Sequence, residues 1–171
     1  MVLGLWARLL ALAYNVQKVD CDTYRAAQIY GRHVRVLLEH LGIRTFVNLR
    51  GPNPKARWYR NAREACEALD VRFVDVMLSS RRLPERGTLL DLLAAIDAAQ
   101  PKALLACSGG ADRTSLAAGL CLLHRTGDVA AARRQMRFFP YLHRPKPHQR
   151  WIRVLDRKST RLNSSHGYIS Y

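Results

Sequence analysis

The sequence is poor in acidic residues. It holds 13 Asp or Glu against 28 Lys or Arg among 171 residues, which gives a formal net charge of +15. The basic residues are dispersed and do not form one stripe with stacking aromatics, so we expect no nucleic-acid partner. The excess predicts instead a positive field that attracts small anionic groups.

A long hydrophobic run is also missing. Residues 2–14 are nearly all apolar but include Arg8, and the run is shorter than the roughly 20 residues that a membrane-spanning helix needs. No basic residue precedes it, as a signal peptide would require. Two interpretations of residues 1–18 stay open: a helix docked on the domain, or the remnant of a membrane anchor cut short by a misplaced start. The first predicts a cytoplasmic protein and the second a membrane-anchored one.

Cysteines are few, and their spacing matches neither a zinc signature nor a dense disulfide scaffold. We therefore expect reduced thiols in a reducing compartment. The four are Cys21, Cys66, Cys107 and Cys121.

The last fifteen residues lack apolar periodicity. Residues 157–171 contain three basic residues and no acid, and the string resembles translated read-through of a synthetic sequencing adapter. We expect a disordered, non-native-looking tail that builds no core. The folded domain is predicted at residues 19–156, with no internal linker, and as a monomer.

The body alternates helical and strand patterns. Apolar spacing predicts helices at 31–41, 56–69, 83–99, 114–124 and 129–138, and short apolar runs predict strands at 44–49, 71–78 and 102–106. Such alternation favours an α/β fold with a central, mostly parallel sheet of four or five strands flanked by helices. Ligands of such sheets bind at the carboxyl ends of the strands.

One loop follows the predicted strand 102–106 directly and precedes an apolar helix. It reads Cys107, Ser108, Gly109, Gly110, Ala111, Asp112, Arg113, Thr114. The small residues Ser108 to Ala111 allow consecutive backbone N–H groups to point inward, and a helix N-terminus adds a favourable field for anions. The loop therefore predicts a phosphate-binding nest.

The same field favours the thiolate of Cys107 and makes it a competent nucleophile near neutral pH. Thr114 is placed to donate a hydrogen bond to the sulfur. Arg113 offers a planar fork that grips two phosphate oxygens. This chemistry needs no metal and no cofactor.

Cysteine, five residues, arginine and a hydroxyl residue resemble the signature of the cysteine-dependent phosphatases. The chain is most similar to the bacterial dual-specificity and tyrosine phosphatases, over about residues 19–125. Tyr24, Arg25 and Gln28 match a Tyr-Arg-Ser-x-Gln segment of that branch, and 41–51 resembles its first strand. The resemblance implies the cysteine-phosphatase fold and two-step hydrolysis of a phosphomonoester through a phosphocysteine.

Two positions depart from the family pattern. Ala106 stands where family members usually have a histidine, and the stretch 79–84, where they usually carry an aspartate as general acid, has no acid. Asp112 and Asp75 are the candidate replacements, and we favour Asp112. Its alternative role is to fix the loop by bonding to nearby backbone.

Several residues are candidates for the pocket rim. They are Arg81 and Arg82 in place of the missing acid loop, together with Asp75 and Arg50. A solvated basic turn is the alternative for Arg81 and Arg82.

The sequence thus predicts a protein-tyrosine or dual-specificity phosphatase whose partner is a phosphorylated protein or another anionic phosphomonoester. The alternatives are a lipid or phosphoinositide-type phosphatase and a phosphate-binding pseudophosphatase. The apolar start of the chain leaves peripheral or anchored membrane association open.

Overall fold

The computed structural model describes residues 2–143. The tail predicted at 157–171 and the domain end at 156 lie outside the described residues. The helices are α1 Val2–Ala13, α2 His33–Leu41, α3 Arg57–Ala68, α4 Arg86–Asp97, α5 Asp112–Thr126 and α6 Val129–Arg134; the strands are β1 Gln17–Lys18, β2 Thr23–Ala26, β3 Thr45–Asn48, β4 Arg72–Asp75 and β5 Ala103–Ala106.

The five strands form one sheet in the order β1-β2-β5-β3-β4. All pairs are parallel except β1 with β2. The predicted α/β fold with a mostly parallel, helix-flanked sheet is confirmed. In the register, Ala106 lies beside Ala26 on one side and Asn48 on the other, so β2, β5 and β3 end at the same edge.

The core has two layers because alternate residues of each strand face opposite sides of the sheet. Phe46 and Leu104 belong to a cluster with α1, α2 and α3. Val47 and Leu105 belong to a second cluster with α4 and α5. Helix α5 is buried along most of its length, as its nearly all-round apolar sequence predicts.

The apolar start of the chain forms helix α1, which packs on α2 and buries Ala7 and Leu10. Within residues 2–143, every helix is too short or too polar to cross a bilayer.

Four elements differ from the sequence prediction. Strands β1 and β2 were not predicted, α6 ends at Arg134, and β4 ends at Asp75. Beyond Asp75 the chain stays next to the end of β3: the Val76 and Leu78 N–H groups donate to the carbonyls of Asn48 and Leu49, at 3.0 Å and 3.3 Å, and Met77 forms an isolated bridge with Arg50.

Candidate active site

The loop after β5 lies at the carboxyl edge of the sheet, between the ends of β2 and β3. The backbone N–H of Cys107 donates to the Ala26 carbonyl at 3.3 Å, and the Leu49 N–H donates to the Ala106 carbonyl at 2.8 Å. Cys107 is buried, whereas Ser108 and Gly109 are exposed. Neighbouring strands therefore fix the cysteine at the base of the loop, and the middle of the loop opens to solvent.

Cys107 faces the first turn of α5. Its Sγ lies 3.9 Å from Thr114 Oγ1, and both residues are buried. The Thr114 hydroxyl also donates to the Ala111 carbonyl at 3.3 Å. The sulfur thus sits beside the Thr114 hydroxyl at a helix N-terminus, and the Cys107 thiol donates to Thr114 Oγ1.

Gly110 is the point of closest approach between the loop and β2. Its φ is +64°, and a Cβ atom there would lie 2.5 Å from the Ala27 nitrogen. Only glycine fits both the left-handed backbone and this contact. The backbone geometry of the nest therefore requires a glycine at position 110.

Arg113 reaches away from α5 to the segment that follows β4. Its Nε donates to the Leu78 carbonyl at 2.6 Å, and its Nη2 donates to Ser80 Oγ at 3.3 Å. The sequence predicted the guanidinium at the centre of the loop; in the structure both of these contacts are with the segment after β4. They set the plane of the guanidinium.

The segment after β4 is a tight polar turn. The backbone N–H groups of Arg81 and Arg82 both donate to Ser79 Oγ at 3.1 Å, and both arginine side chains are exposed. Because Ser80 contacts Arg113, this turn lies against the site. It occupies the stretch in which the sequence resemblance implied an aspartate.

Arg50 lies near Cys107 and Arg113. Its guanidinium stacks over the Trp58 ring at 3.7 Å and donates from Nη1 to Gln28 Oε1 at 3.2 Å. Burial lowers the pKa of Arg50 and the charge of Arg113 lowers it further, whereas the charge of Cys107 raises it. The three groups therefore share one electrostatic site.

The two candidate acids occupy different surroundings. Asp112 opens α5 and lies 3.7 Å from Nδ1 of the buried His143. Asp75 ends β4 and accepts hydrogen bonds on both oxygens, from Asn48 Nδ2 at 2.7 Å and from the Tyr59 hydroxyl at 2.6 Å. Burial raises the pKa of Tyr59, and its bond to Asp75 raises it further. Asp75 thus joins β4 to β3 and α3, whereas Asp112 lies next to the loop.

Sequence reasoning missed the residues that support the loop from behind. Arg25 and Asn15 both donate to the Gly110 carbonyl, at 3.0 Å and 3.4 Å. The Gln28 N–H donates to the Ser108 carbonyl at 3.3 Å. The match of Tyr24, Arg25 and Gln28 to a family segment was the only signal for them. No group of three or more metal-ligating side chains occurs within residues 2–143.

Comparison with known proteins finds structural relatives but no sequence relatives. No model of a protein family matches the chain, and no curated protein is similar to it. The crystal structure of TpbA from P. aeruginosa matches with a TM-score of 0.59 and 22% identity, covering 76% of each chain. The core catalytic domain of the PP-IP phosphatase SIW14 from S. cerevisiae, in complex with citrate, matches with a TM-score of 0.62 and 21% identity over 87% of this chain and 93% of that one. Tk-PTP in its active form matches with a TM-score of 0.63 and 15% identity over 83% and 96%.

These structures share the central sheet and its helical layers with the protein over most of its length. The chain therefore has the fold of the cysteine-dependent tyrosine and dual-specificity phosphatase-like superfamily.

Proposed function

We propose that the protein is a phosphomonoester hydrolase of the protein-tyrosine or dual-specificity class, with Cys107 as its nucleophile. The observation that carries the proposal is the position of Cys107: at the end of the central strand, under the N-terminus of α5 and 3.9 Å from the Thr114 hydroxyl. The backbone N–H groups of Ser108 to Ala111 would bind a phosphate dianion on the solvent side of the loop, with its phosphorus atom facing the Cys107 sulfur. No cofactor takes part in the proposed reaction.

In the first step, the Cys107 thiolate attacks the phosphorus atom in line with the ester oxygen. A sulfur–phosphorus bond forms, the phosphorus–oxygen ester bond breaks, and protonated Asp112 gives its proton to the leaving oxygen. The products are the free alcohol or phenol and a phosphocysteine.

In the second step, water attacks the phosphocysteine. Asp112, now a carboxylate, accepts the proton of the water, the sulfur–phosphorus bond breaks, and orthophosphate leaves. Thr114 donates a hydrogen bond to the sulfur as it becomes a thiolate again, which makes it a better leaving group.

Arg113 binds the equatorial phosphate oxygens in both steps. Its Nε bond to Leu78 fixes the guanidinium plane, so little reorganisation is needed when charge develops in the transition state. Arg50, stacked on Trp58, and the exposed Arg81 and Arg82 form the rim and attract the anionic substrate.

Two relatives bear on the substrate class. A variant of TpbA is known in complex with pTyr, and SIW14 is a PP-IP phosphatase. We favour a phosphorylated protein as substrate because the aromatic ring of Trp58 lies beside the rim arginine Arg50, where an aryl phosphate would stack.

One observation favours the lipid alternative and the membrane association that goes with it. Helix α1 leaves Leu5, Leu9 and Leu12 exposed on one face, with Arg8 at its border. No acidic residue precedes Asp20, so an anionic bilayer surface complements this face in both apolarity and charge. We propose that α1 is a peripheral membrane contact of a domain that otherwise faces the reducing cytoplasm.

The decisive test of activity is hydrolysis of p-nitrophenyl phosphate by the whole chain, by Cys107→Ser and by the matched control Cys21→Ser, whose thiol is exposed and outside the loop. We expect Cys107→Ser to lose at least about 10³-fold in kcat/KM, and Cys21→Ser to keep the wild-type value. Vanadate should compete with the substrate.

Activity that persists in Cys107→Ser would refute the mechanism. A wild-type chain that binds vanadate without turnover would identify a pseudophosphatase instead.

A further inference from the structure

Arg25 is the largest fully buried side chain of the described residues. It lies in β2, its exposed fraction is 0%, and its guanidinium lies behind the phosphate loop. From there Nη2 donates to the carbonyl oxygens of Gly110 at 3.0 Å and Ala111 at 3.2 Å. Carbonyls held toward Arg25 leave the N–H groups of the loop free to point to the opposite side, where a phosphate binds.

The charge of Arg25 has no carboxylate as partner among residues 2–143. Its Nη1 donates to the carbonyl and to Oε1 of Gln135, each at 3.0 Å, and the Tyr141 ring lies 4.6 Å from Cζ. Burial lowers the pKa of Arg25 to about 10, while the charge of Cys107 raises it, so the group stays a cation at neutral pH. A buried charge without an ionic partner costs several kcal/mol in general, and a negative charge on Cys107 would offset part of that cost.

The contacts of Arg25 also orient the hydroxyl of Thr114. Arg25 Nη2 donates to Thr114 Oγ1 at 3.2 Å and to Ser115 Oγ at 2.8 Å. A hydroxyl that accepts from an arginine has its single proton left to donate. In the structure this proton is donated to the Ala111 carbonyl at 3.3 Å. Because Arg25 also donates to that carbonyl, the Thr114 proton can turn to Cys107 Sγ, 3.9 Å away, once the sulfur is a thiolate.

We propose that Arg25 is a positioning residue of the active site: from behind the loop it holds the carbonyls of Gly110 and Ala111 and presents the Thr114 hydroxyl to Cys107 as a donor. This inference rests on the proposed function and specifies how its nucleophile is prepared. Arg25 also places a buried positive charge behind this loop. Ala106 stands directly before Cys107, where the phosphatases that the sequence resembles usually have a histidine.

The charged groups around Cys107 come from several elements. Arg25 approaches from β2, Arg50 from the segment after β3, and Arg113 and Asp112 from α5, with His143 next to Asp112. Replacing Arg25 leaves the other four in place, so its own contribution can be measured.

The test measures the reactivity of Cys107 and does not depend on turnover. The rate of alkylation by iodoacetamide is followed against pH, with peptide mapping to separate Cys107 from the other cysteines, and again at rising concentrations of inorganic phosphate. The variants are Arg25→Met and Arg25→Lys. The matched control is Arg125→Met, which removes a second arginine that binds β2, through Thr23 Oγ1 at 2.8 Å, at the opposite end of α5.

In Arg25→Met we expect the midpoint of the alkylation profile to rise by about one pH unit, and the phosphate concentration that protects Cys107 to rise about tenfold or more. Arg25→Lys keeps the charge but cannot hold both carbonyls. Its midpoint should lie near that of the wild type while the protecting concentration still rises. Arg125→Met should match the wild type in both.

A folded Arg25→Met with the wild-type midpoint and wild-type phosphate protection would overturn the inference. If Arg25→Met does not fold, wild-type phosphate protection in Arg25→Lys would overturn it instead. If the Arg25 variants show the predicted shifts but the wild-type chain hydrolyses no phosphomonoester, the proposed function is refuted and the role of Arg25 stands.

Discussion

At the scale of one residue, Asp112 is the carboxyl group on which the proposed general-acid step depends. It opens α5 directly beside Arg113, next to the buried imidazole of His143. Asp75, by contrast, has both carboxylate oxygens bound by Asn48 and Tyr59. A carboxyl group engaged in this way is less able to transfer a proton to a substrate.

We therefore predict that Asp112→Asn lowers turnover of alkyl phosphates by about 10²-fold or more and turnover of aryl phosphates much less, because a phenolate leaves without protonation. The measurement is kcat for a series of phosphomonoesters with leaving groups of increasing basicity. Asp75→Asn is the control and should show equal losses across the series. If the loss of kcat rose steeply with leaving-group basicity in Asp75→Asn and stayed constant in Asp112→Asn, Asp75 and not Asp112 would be the general acid.

At the scale of elements, α1 differs from the other helices. Its sequence is apolar on nearly all sides, but among residues 4–13 only Ala7 and Leu10 are buried, while Leu9 and Leu12 are 51% and 76% exposed. A helix that is apolar all round is normally covered on all sides. Arg32 directly precedes α2, the helix that packs against α1, and is exposed. It adds positive charge beside this face, whereas Arg35 of α2 pairs with Glu39 at 3.1 Å.

We predict that the protein sediments with vesicles that contain anionic phospholipid and not with neutral vesicles, and that Leu9→Gln with Leu12→Gln lowers this binding about tenfold or more, since each buried leucine contributes about 1.5–3 kcal/mol. Leu90→Gln, at a 54% exposed leucine of α4, is the matched control and should bind like the wild type. Equal binding of all three chains would refute the contact through α1.

The elements that the sequence predicted are those with clear apolar periodicity. Helices α2 to α5 and strands β3 to β5 occur within a few residues of their predicted bounds. Strand β2 was missed because Arg25, a charged residue at a fully buried position, breaks the apolar pattern of a strand, and β1 has only two residues. The residue that hid β2 from sequence reasoning is the one that supports the loop.

At the scale of the whole molecule, the sequence predicted the position of the site better than its supports. A nucleophile, a nest and a fork are predicted within eight consecutive residues, because the cysteine–arginine spacing stands between an apolar strand and an apolar helix, with glycines inside it and a hydroxyl residue after the arginine. The contacts that hold them come from residues such as Asn15, Arg25 and Gln28, which lie far away in the sequence and meet the loop only after the sheet has formed. Such contacts leave no local pattern to read.

Five of the basic residues that give the chain its positive net charge lie around the loop. Arg25 lies behind the loop, Arg50 and Arg113 lie beside it, and Arg81 and Arg82 lie on the turn next to Arg113. A site surrounded in this way raises the local concentration of anionic substrates and steers them inward. The net charge of the chain thus supports the function of the loop.

The most direct test of the account is to trap the covalent intermediate. The whole chain is mixed with an aryl phosphate, quenched in acid within the first turnovers, digested and analysed by mass spectrometry. We predict that the peptide containing Cys107 gains the mass of one HPO₃ group, and that this adduct is absent from Cys107→Ser and from the peptides of the other three cysteines. Turnover of the aryl phosphate without any adduct on Cys107, or with the adduct on another residue, would contradict the central claim that this thiol is the nucleophile.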